Sequence, residues 1–147
     1  MGIRRKAREI AMQTLYALEF ADQELAAHLE NPQMIIDKLN EIAQDSTIDK
    51  ESKIYEFSLF LVKNICENIK EIDQKIDQHS TNWPLQRLAT LDRTILRLAI
   101  FELNYTETAS AIIINEAIEI AKRFSSESSG KFINGVLNSV AENKNES

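Results

Sequence analysis

Apolar residues recur at three- and four-residue steps along nearly the whole chain, the period of an amphipathic helix. Ile3, Ala7, Ile10, Ala11, Thr14, Leu15 and Leu18 form one such stripe, and Ile35, Leu39, Ile42 and Ala43 a second. The second helix is predicted to start at Pro32, a residue suited to the first helical position, with Asn31 as its cap. One long helix is predicted from about Asp49 to about Gln78, buried along Ile54, Phe57, Leu61, Ile65, Ile69, Ile72 and Ile76. Asn82-Trp83-Pro84 breaks the chain, because the residue before proline is pushed out of the helical region. The pattern resumes from Leu85 to Leu103 through Leu88, Leu91, Ile95, Leu98, Ala99 and Phe101. The β-branched run Ala111 to Ile114 continues at helical spacing through Ala117, Ile120, Ala121 and Phe124, so it reads as a helix that Thr108 can cap. A last helix carries Phe132, Ile133, Val136, Leu137 and Val140, capped by one of Ser125, Ser126 or Ser128. The fold class is all-α.

Composition supports that reading. Only 3 Gly and 2 Pro in 147 residues leave few tight turns, which disfavours a sheet of many hairpins and suits helices joined by short loops. A single helical domain is expected over residues 1–143, with a polar tail at 144–147. Cys66 stands alone, so no intrachain disulfide can form and a reducing compartment fits. No apolar run approaches the roughly 20 residues of a bilayer span, and the basic start lacks the apolar core of a signal peptide. A cytoplasmic protein without a membrane partner is expected.

The net charge of −6 argues against a nucleic-acid binder until its distribution is considered. Residues 19–77 hold 14 acidic and 6 basic side chains, whereas residues 1–18 hold four basic against one acidic. The seven arginines lie only at 4, 5, 8, 87, 93, 97 and 123. Placing Arg4, Arg5, Lys6 and Arg8 in the first turns of a helix opposes the macrodipole, at about 0.3–1 kcal/mol per charge. An anionic partner would give that arrangement a purpose. On a helical wheel Arg5, Arg8, Met12 and Tyr16 fall opposite the apolar stripe, so a phosphate-binding cluster would run into an exposed aromatic. Arginine on phosphate and a base on an aromatic ring is how proteins hold single-stranded RNA. A solvated basic face stays open as the other reading.

Other constellations have structural explanations. Arg93 and Arg97, one turn apart on an apolar helix, should pair with a carboxylate of a neighbouring helix, with Glu116 or Glu119 as candidates. Asn134-Gly135 inside the last helix is unfavourable by about 1 kcal/mol relative to alanine, and suggests close packing of another backbone or of a ligand. Lys131 and Phe132, just upstream, remain available to a nucleic acid. His28 and His79 lie on different segments without metal-ligand spacing, Cys66 has no histidine near it in sequence, and no glycine-rich phosphate loop exists. No enzyme, metal site or cofactor is predicted.

Four stretches carry a family resemblance. Asn82-Trp83-x-Leu85-x-Arg87-Leu88, Leu91-Asp92-Arg93-x-Ile95-Leu96-Arg97-Leu98-Ala99 and Glu102-Leu103 resemble the middle signature of the NusB transcription antitermination factors. Ile114-Asn115-Glu116-Ala117-Ile118-Glu119-Ile120-Ala121-Lys122-Arg123-Phe124 is similar to the second, and Ser129-Gly130-Lys131-Phe132-Ile133-Asn134-Gly135-Val136-Leu137-Asn138 to the third. Arg4-Arg5-x-Ala7-Arg8-Glu9, followed by Gln13-x-Leu15-Tyr16, resembles the family's arginine-rich start. The resemblance implies two small helical bundles packed together, six to seven helices in all. It also implies an adaptor that binds boxA RNA of ribosomal RNA operons with the ribosomal protein NusE, and joins NusA, NusG and RNA polymerase. Carried over residue by residue, Arg4, Arg5, Lys6, Arg8, Tyr16, Lys131 and Phe132 would face RNA, and Asp92 would meet the partner protein. The chain departs from the pattern at Ser125, where many members have Gly, at Ser128, where they have Asp, and at Ala109, where they have Pro. A regulatory domain acting with a ribosomal RNA methyltransferase, and a protein–protein module built on the acidic middle, are the alternative functions. Self-association into a homodimer is left open.

Overall fold

A computed structural model describes residues 2–19, 31–80 and 88–146. Seven helices are found among them: α1 (Ile3–Glu19), α2 (Pro32–Asp45), α3 (Lys53–Glu67), α4 (Ile69–His79), α5 (Thr90–Tyr105), α6 (Ser110–Phe124) and α7 (Glu127–Glu146). The all-α expectation is met. The chain divides into two compact units, residues 1–69 and 70–147.

In the first unit α1 packs against both α2 and α3. Ala7, Ile10, Ala11, Leu15 and Leu18 of α1 are buried with Ile35, Leu39, Leu61, Val62 and Ile65. Small residues permit the close approach of α1 to α3: Ser58 Oγ donates to the Ala7 carbonyl at 3.1 Å. Tyr55 links α3 to α2 by donating its hydroxyl to Asn40 Oδ1. Ile3, assigned to the buried stripe, is 52% exposed because it precedes the part of α1 that is covered.

The expected long third helix is two helices. Asn68 ends α3 at φ −112°, ψ 19°, its N–H reaching both Asn64 and Ile65 carbonyls. Its side-chain amide donates to the same Asn64 carbonyl at 2.7 Å, the local competition for backbone acceptors that makes asparagine a helix breaker. Periodicity could not reveal this break, since Ile65, Ile69, Ile72 and Ile76 stay buried across it. The break at Trp83-Pro84, together with His28, Leu85 and Arg87, lies outside the described residues.

In the second unit α5, α6 and α7 pack pairwise around Ile95, Ile100, Leu103, Ile113, Ile120, Ile133 and Leu137. Polar links hold α4 to them. Arg97 Nε and Nη2 donate to Asp73 Oδ1 and Oδ2 at 2.7 and 2.9 Å. His79 Nδ1 lies 2.7 Å from Ser139 Oγ, and the Tyr105 hydroxyl donates to Glu71. That hydrogen bond to Glu71, with burial and the carboxylate charge, pushes the Tyr105 phenol up to about 12. The partner of Arg97 is thus a carboxylate of another helix, as expected, but it is Asp73 of α4 rather than Glu116 or Glu119 of α6.

The caps differ from expectation at two helices and meet it at a third. Asn31 and Ala109 occupy N-cap positions without side-chain caps, so Asn31 does not cap α2 through its amide and Thr108 does not cap α6. Ser126 does cap α7, accepting from Ser129 N–H at 3.1 Å. Helix α7 also runs through Glu146, so the polar tail expected at 144–147 begins as helix.

Gly135 is exposed, and a Cβ built there meets nothing within 4 Å. The close packing by another backbone expected at this glycine is not found among the described residues. Gly135→Ala should therefore raise stability by about 0.5–1 kcal/mol, through the lower entropy of the unfolded chain alone. A urea midpoint that rises at unchanged slope is the expected reading; a fall would show that something does press on this position.

Candidate nucleic-acid interface

The basic start of α1 is built against α3. Helix α1 opens after Gly2, whose carbonyl accepts from Lys6 N–H at 3.0 Å, and no acidic residue lies in its first turn. The Ser58–Ala7 hydrogen bond fixes the register of the two helices. Phe57, beside Ser58, consequently lies under the arginines, with Arg4 Cζ 4.2 Å and Arg8 Cζ 5.9 Å from its ring centre. A guanidinium over an aromatic face within about 6 Å is an attractive pairing. It orients Arg4 without occupying all of its donors.

The basic residues are not equivalent. Arg4 is exposed, and Arg5 and Lys6 are half-exposed, but Arg8 is only 4% exposed. Met12, placed on the same solvent-facing ridge by the helical wheel, is 2% exposed, while Tyr16 is half-buried. The ridge expected opposite the apolar stripe is thus mostly covered. The wheel assumes one buried face, whereas α1 is packed by α2 on one side and α3 on another. Arg8 serves its unit from the inside, and the surface charge of this helix comes from Arg4, Arg5 and Lys6.

The second unit carries its own cluster. Lys131 is exposed on α7 and Phe132 is half-buried beside it. Sequence reasoning missed the basic residues around them. Lys122 and Arg123 end α6 and are exposed. The Lys122 side chain passes 3.5 Å from where a Cβ of Gly130 would stand. Arg123 Cζ lies 5.2 Å from the Phe124 ring centre. The available signal was the Lys122-Arg123 pair itself, obscured because cations in a last helical turn are also what the macrodipole favours.

Asp92 sits in the first turn of α5, where a carboxylate suits the helix dipole. Its Oδ2 accepts from Ser129 Oγ at 3.2 Å, and Ser129 Oγ in turn lies 2.8 Å from Ser125 Oγ. Asp92 Oδ1 is buried and has no hydrogen-bond partner among the described residues. Ser125 adopts φ −130°, ψ −100°, a negative φ that a side chain can hold. Ser128 is exposed. Arg93 reaches the Leu88 carbonyl at 3.4 Å and Thr90 Oγ1 at 3.5 Å, within the same turn of chain.

Among the described residues no helix is long and apolar enough to cross a membrane, and no group of three His, Cys, Asp or Glu side chains is placed to hold a metal ion. Cys66 is fully buried in α3.

Comparison with known proteins places this geometry in a family. The transcription antitermination protein NusB of Myxococcus xanthus (strain DK1622) is 40% identical over 142 residues, covering 96% of this chain and 96% of the relative. The solved NusB structure from T. maritima is 37% identical with a TM-score of 0.78, covering 95% of this chain and 90% of that one. A crystal structure of the antitermination factors NusB and NusE in complex with double-stranded RNA contains a chain 25% identical with a TM-score of 0.81, covering 97% of this chain and 98% of that one. Residues 5–142 match the model of the NusB family, and the chain belongs to that family.

Proposed function

We propose that the chain is a transcription antitermination factor, a cytoplasmic adaptor without chemistry of its own. It binds boxA RNA of ribosomal RNA operons together with the ribosomal protein NusE, and the assembly joins NusA, NusG and RNA polymerase. The observation that carries this reading is the solvent-facing basic start of α1, in a family whose solved relative holds NusE and RNA. Arg4, Arg5 and Lys6 supply phosphate contacts from the first unit, with Tyr16 further along the same helix. Lys131 and Phe132, joined by Lys122 and Arg123, supply contacts from the second. Asp92, a partly exposed carboxylate in the first turn of α5, is the partner-binding residue, suited to a basic ribosomal protein by its charge. The regulatory role beside a methyltransferase is the weaker reading, because the Myxococcus relative matches over nearly its full length and carries the antitermination name.

Mixing the chain with purified NusE-type protein and boxA RNA tests the adaptor role. The pair should bind RNA more tightly than either protein alone. Equal affinity with and without the second protein would overturn it.

A further inference from the structure

Helix α7 carries a glycine for which the packing of its own unit gives no reason. Gly135 lies mid-helix and exposed, and a Cβ built there meets nothing within 4 Å. Glycine in a helix interior is unfavourable relative to alanine, because it loses more backbone freedom on folding. A position without Cβ does, however, let another molecule come close to the helix backbone. The surroundings of Gly135 suit such an approach. Lys131, Asn134, Gly135 and Asn138 are all exposed and fall within an arc of about 100° on α7. Ile133, Val136, Leu137 and Val140 are buried on the opposite side. Asn138 Nδ2 donates to the carbonyl and to Oδ1 of Asn134 at 2.9 and 2.7 Å, which joins the two amides along one edge of the glycine. Among the described residues the Asn134 amide hydrogens and the Asn138 amide oxygen have no other partner, so the pair presents a donor and an acceptor side by side. The chain holds 23 acidic residues, yet α7 has none between Glu127 and Glu142, and Lys131 is the one charge in that interval.

We propose that the Asn134-Gly135-Asn138 face of α7 takes the sugar–phosphate backbone of the RNA strand and reads its ribose. The inference rests on the RNA-binding reading above and extends it from Lys131 by two turns along the same helix. Lys131 meets a phosphate, and the bare backbone at Gly135 lets the next sugar lie against the helix. The amide pair then hydrogen-bonds the 2′-hydroxyl, which both donates and accepts and is the group that distinguishes RNA from DNA. Asn134 donates to that oxygen and Asn138 accepts its hydrogen. Such a contact carries no base preference, so it selects the kind of strand and leaves sequence to other residues. A face without carboxylates beside a lysine suits a polyanion by charge, and it continues the surface to which Lys131 and Phe132 are assigned.

The test compares wild type, Gly135→Ala, Gly135→Gln, Asn134→Ala and Lys131→Ala. Each is titrated in the presence of NusE-type protein with single-stranded boxA RNA and with the 2′-deoxy strand of the same bases. Wild type should prefer the ribose strand. Asn134→Ala should weaken RNA binding roughly 3- to 10-fold, the loss of about one hydrogen bond, and leave the deoxy strand unchanged. Lys131→Ala should weaken both strands alike, since both carry the phosphate. Gly135→Gln should weaken RNA binding by roughly 10-fold or more by filling the space at the helix backbone, and Gly135→Ala by less. Gly135→Ala should at the same time raise the urea midpoint, so that stability and affinity move in opposite directions. A glycine needed for packing would lower both, and that result overturns the proposal. Wild-type RNA affinity in Gly135→Gln overturns it while leaving the basic site standing. Equal losses on the two strands in Asn134→Ala also overturn it, as does equal binding of both strands by wild type. A loss of affinity of Gly135→Gln for the ribosomal protein alone overturns it too, and would make this a protein-docking face. If wild type binds neither strand, the RNA-binding reading itself fails and the ribose contact with it.

Discussion

Replacing Arg4, Arg5 and Lys6 together with alanine should weaken RNA binding about 100-fold at low salt, while the protein folds as before. Hydrogen bonds to charged groups contribute about 1.5–3 kcal/mol each when well desolvated. Solvent-exposed contacts fall below that range, and about 1 kcal/mol for each of three gives the factor of 100. Folding should be spared because all three side chains reach solvent, and removing like charges from the positive end of a helix is mildly stabilising. Arg8 behaves in the opposite way. It is 4% exposed, so Arg8→Ala removes packing and should lower stability by about 2 kcal/mol. A combined four-residue substitution would therefore confuse loss of binding with loss of fold. The separation is checked by measuring RNA affinity and the urea midpoint on both variants. An RNA affinity left intact by the triple substitution would remove α1 from the interface.

Asp73→Ala should be the most destabilising change at any charged residue of the second unit, by about 3 kcal/mol. The side chains of Arg97 and Asp73 are 8% and 23% exposed and meet through two hydrogen bonds. Removing the carboxylate leaves a largely buried guanidinium without this partner, and partial exposure of the pair sets the estimate at the low end for such losses. Asp73→Leu combined with Arg97→Met should recover most of the loss, since neither charge is then stranded. The consequence reaches the interface. Helix α5 carries Asp92 in its first turn, and the Asp73–Arg97 pair holds α4 onto α5. Partner affinity should fall with stability in Asp73→Ala and return in the double variant. A loss under 0.5 kcal/mol in urea unfolding would show that the pair is solvated and structurally minor.

The helical stripes were legible because burial of a helix face leaves a period that survives in sequence. Leu39, Leu61, Ile95, Ile120 and Leu137 were all placed inside, and all are buried. The division of the long helix at Asn68 was hidden because the apolar period runs through it. The N-terminal cluster was legible as charge but not as geometry. Charge is a property of residues 4–8, whereas the burial of Arg8 and Met12 depends on α2 and α3, which are distant in sequence. For the same reason Asp73 escaped notice as the partner of Arg97, and so did Phe57 as the ring beneath Arg4. Phe57 was assigned to the core by its spacing, and it is half-buried with its face given to arginine. Gly135 shows the reverse error, a local irregularity credited with a tertiary cause that is not found among the described residues.

In the proposed function Arg4, Arg5 and Lys6 neutralise RNA phosphates. Counterion release makes this measurable as the slope of log affinity against log salt concentration, about −0.7 per phosphate contact on a single strand. The slope for wild type should be steeper than that of the triple alanine variant by about 2, from three contacts at about 0.7 each. Parallel lines for the two proteins would contradict the claim, whatever their affinities at a single salt concentration.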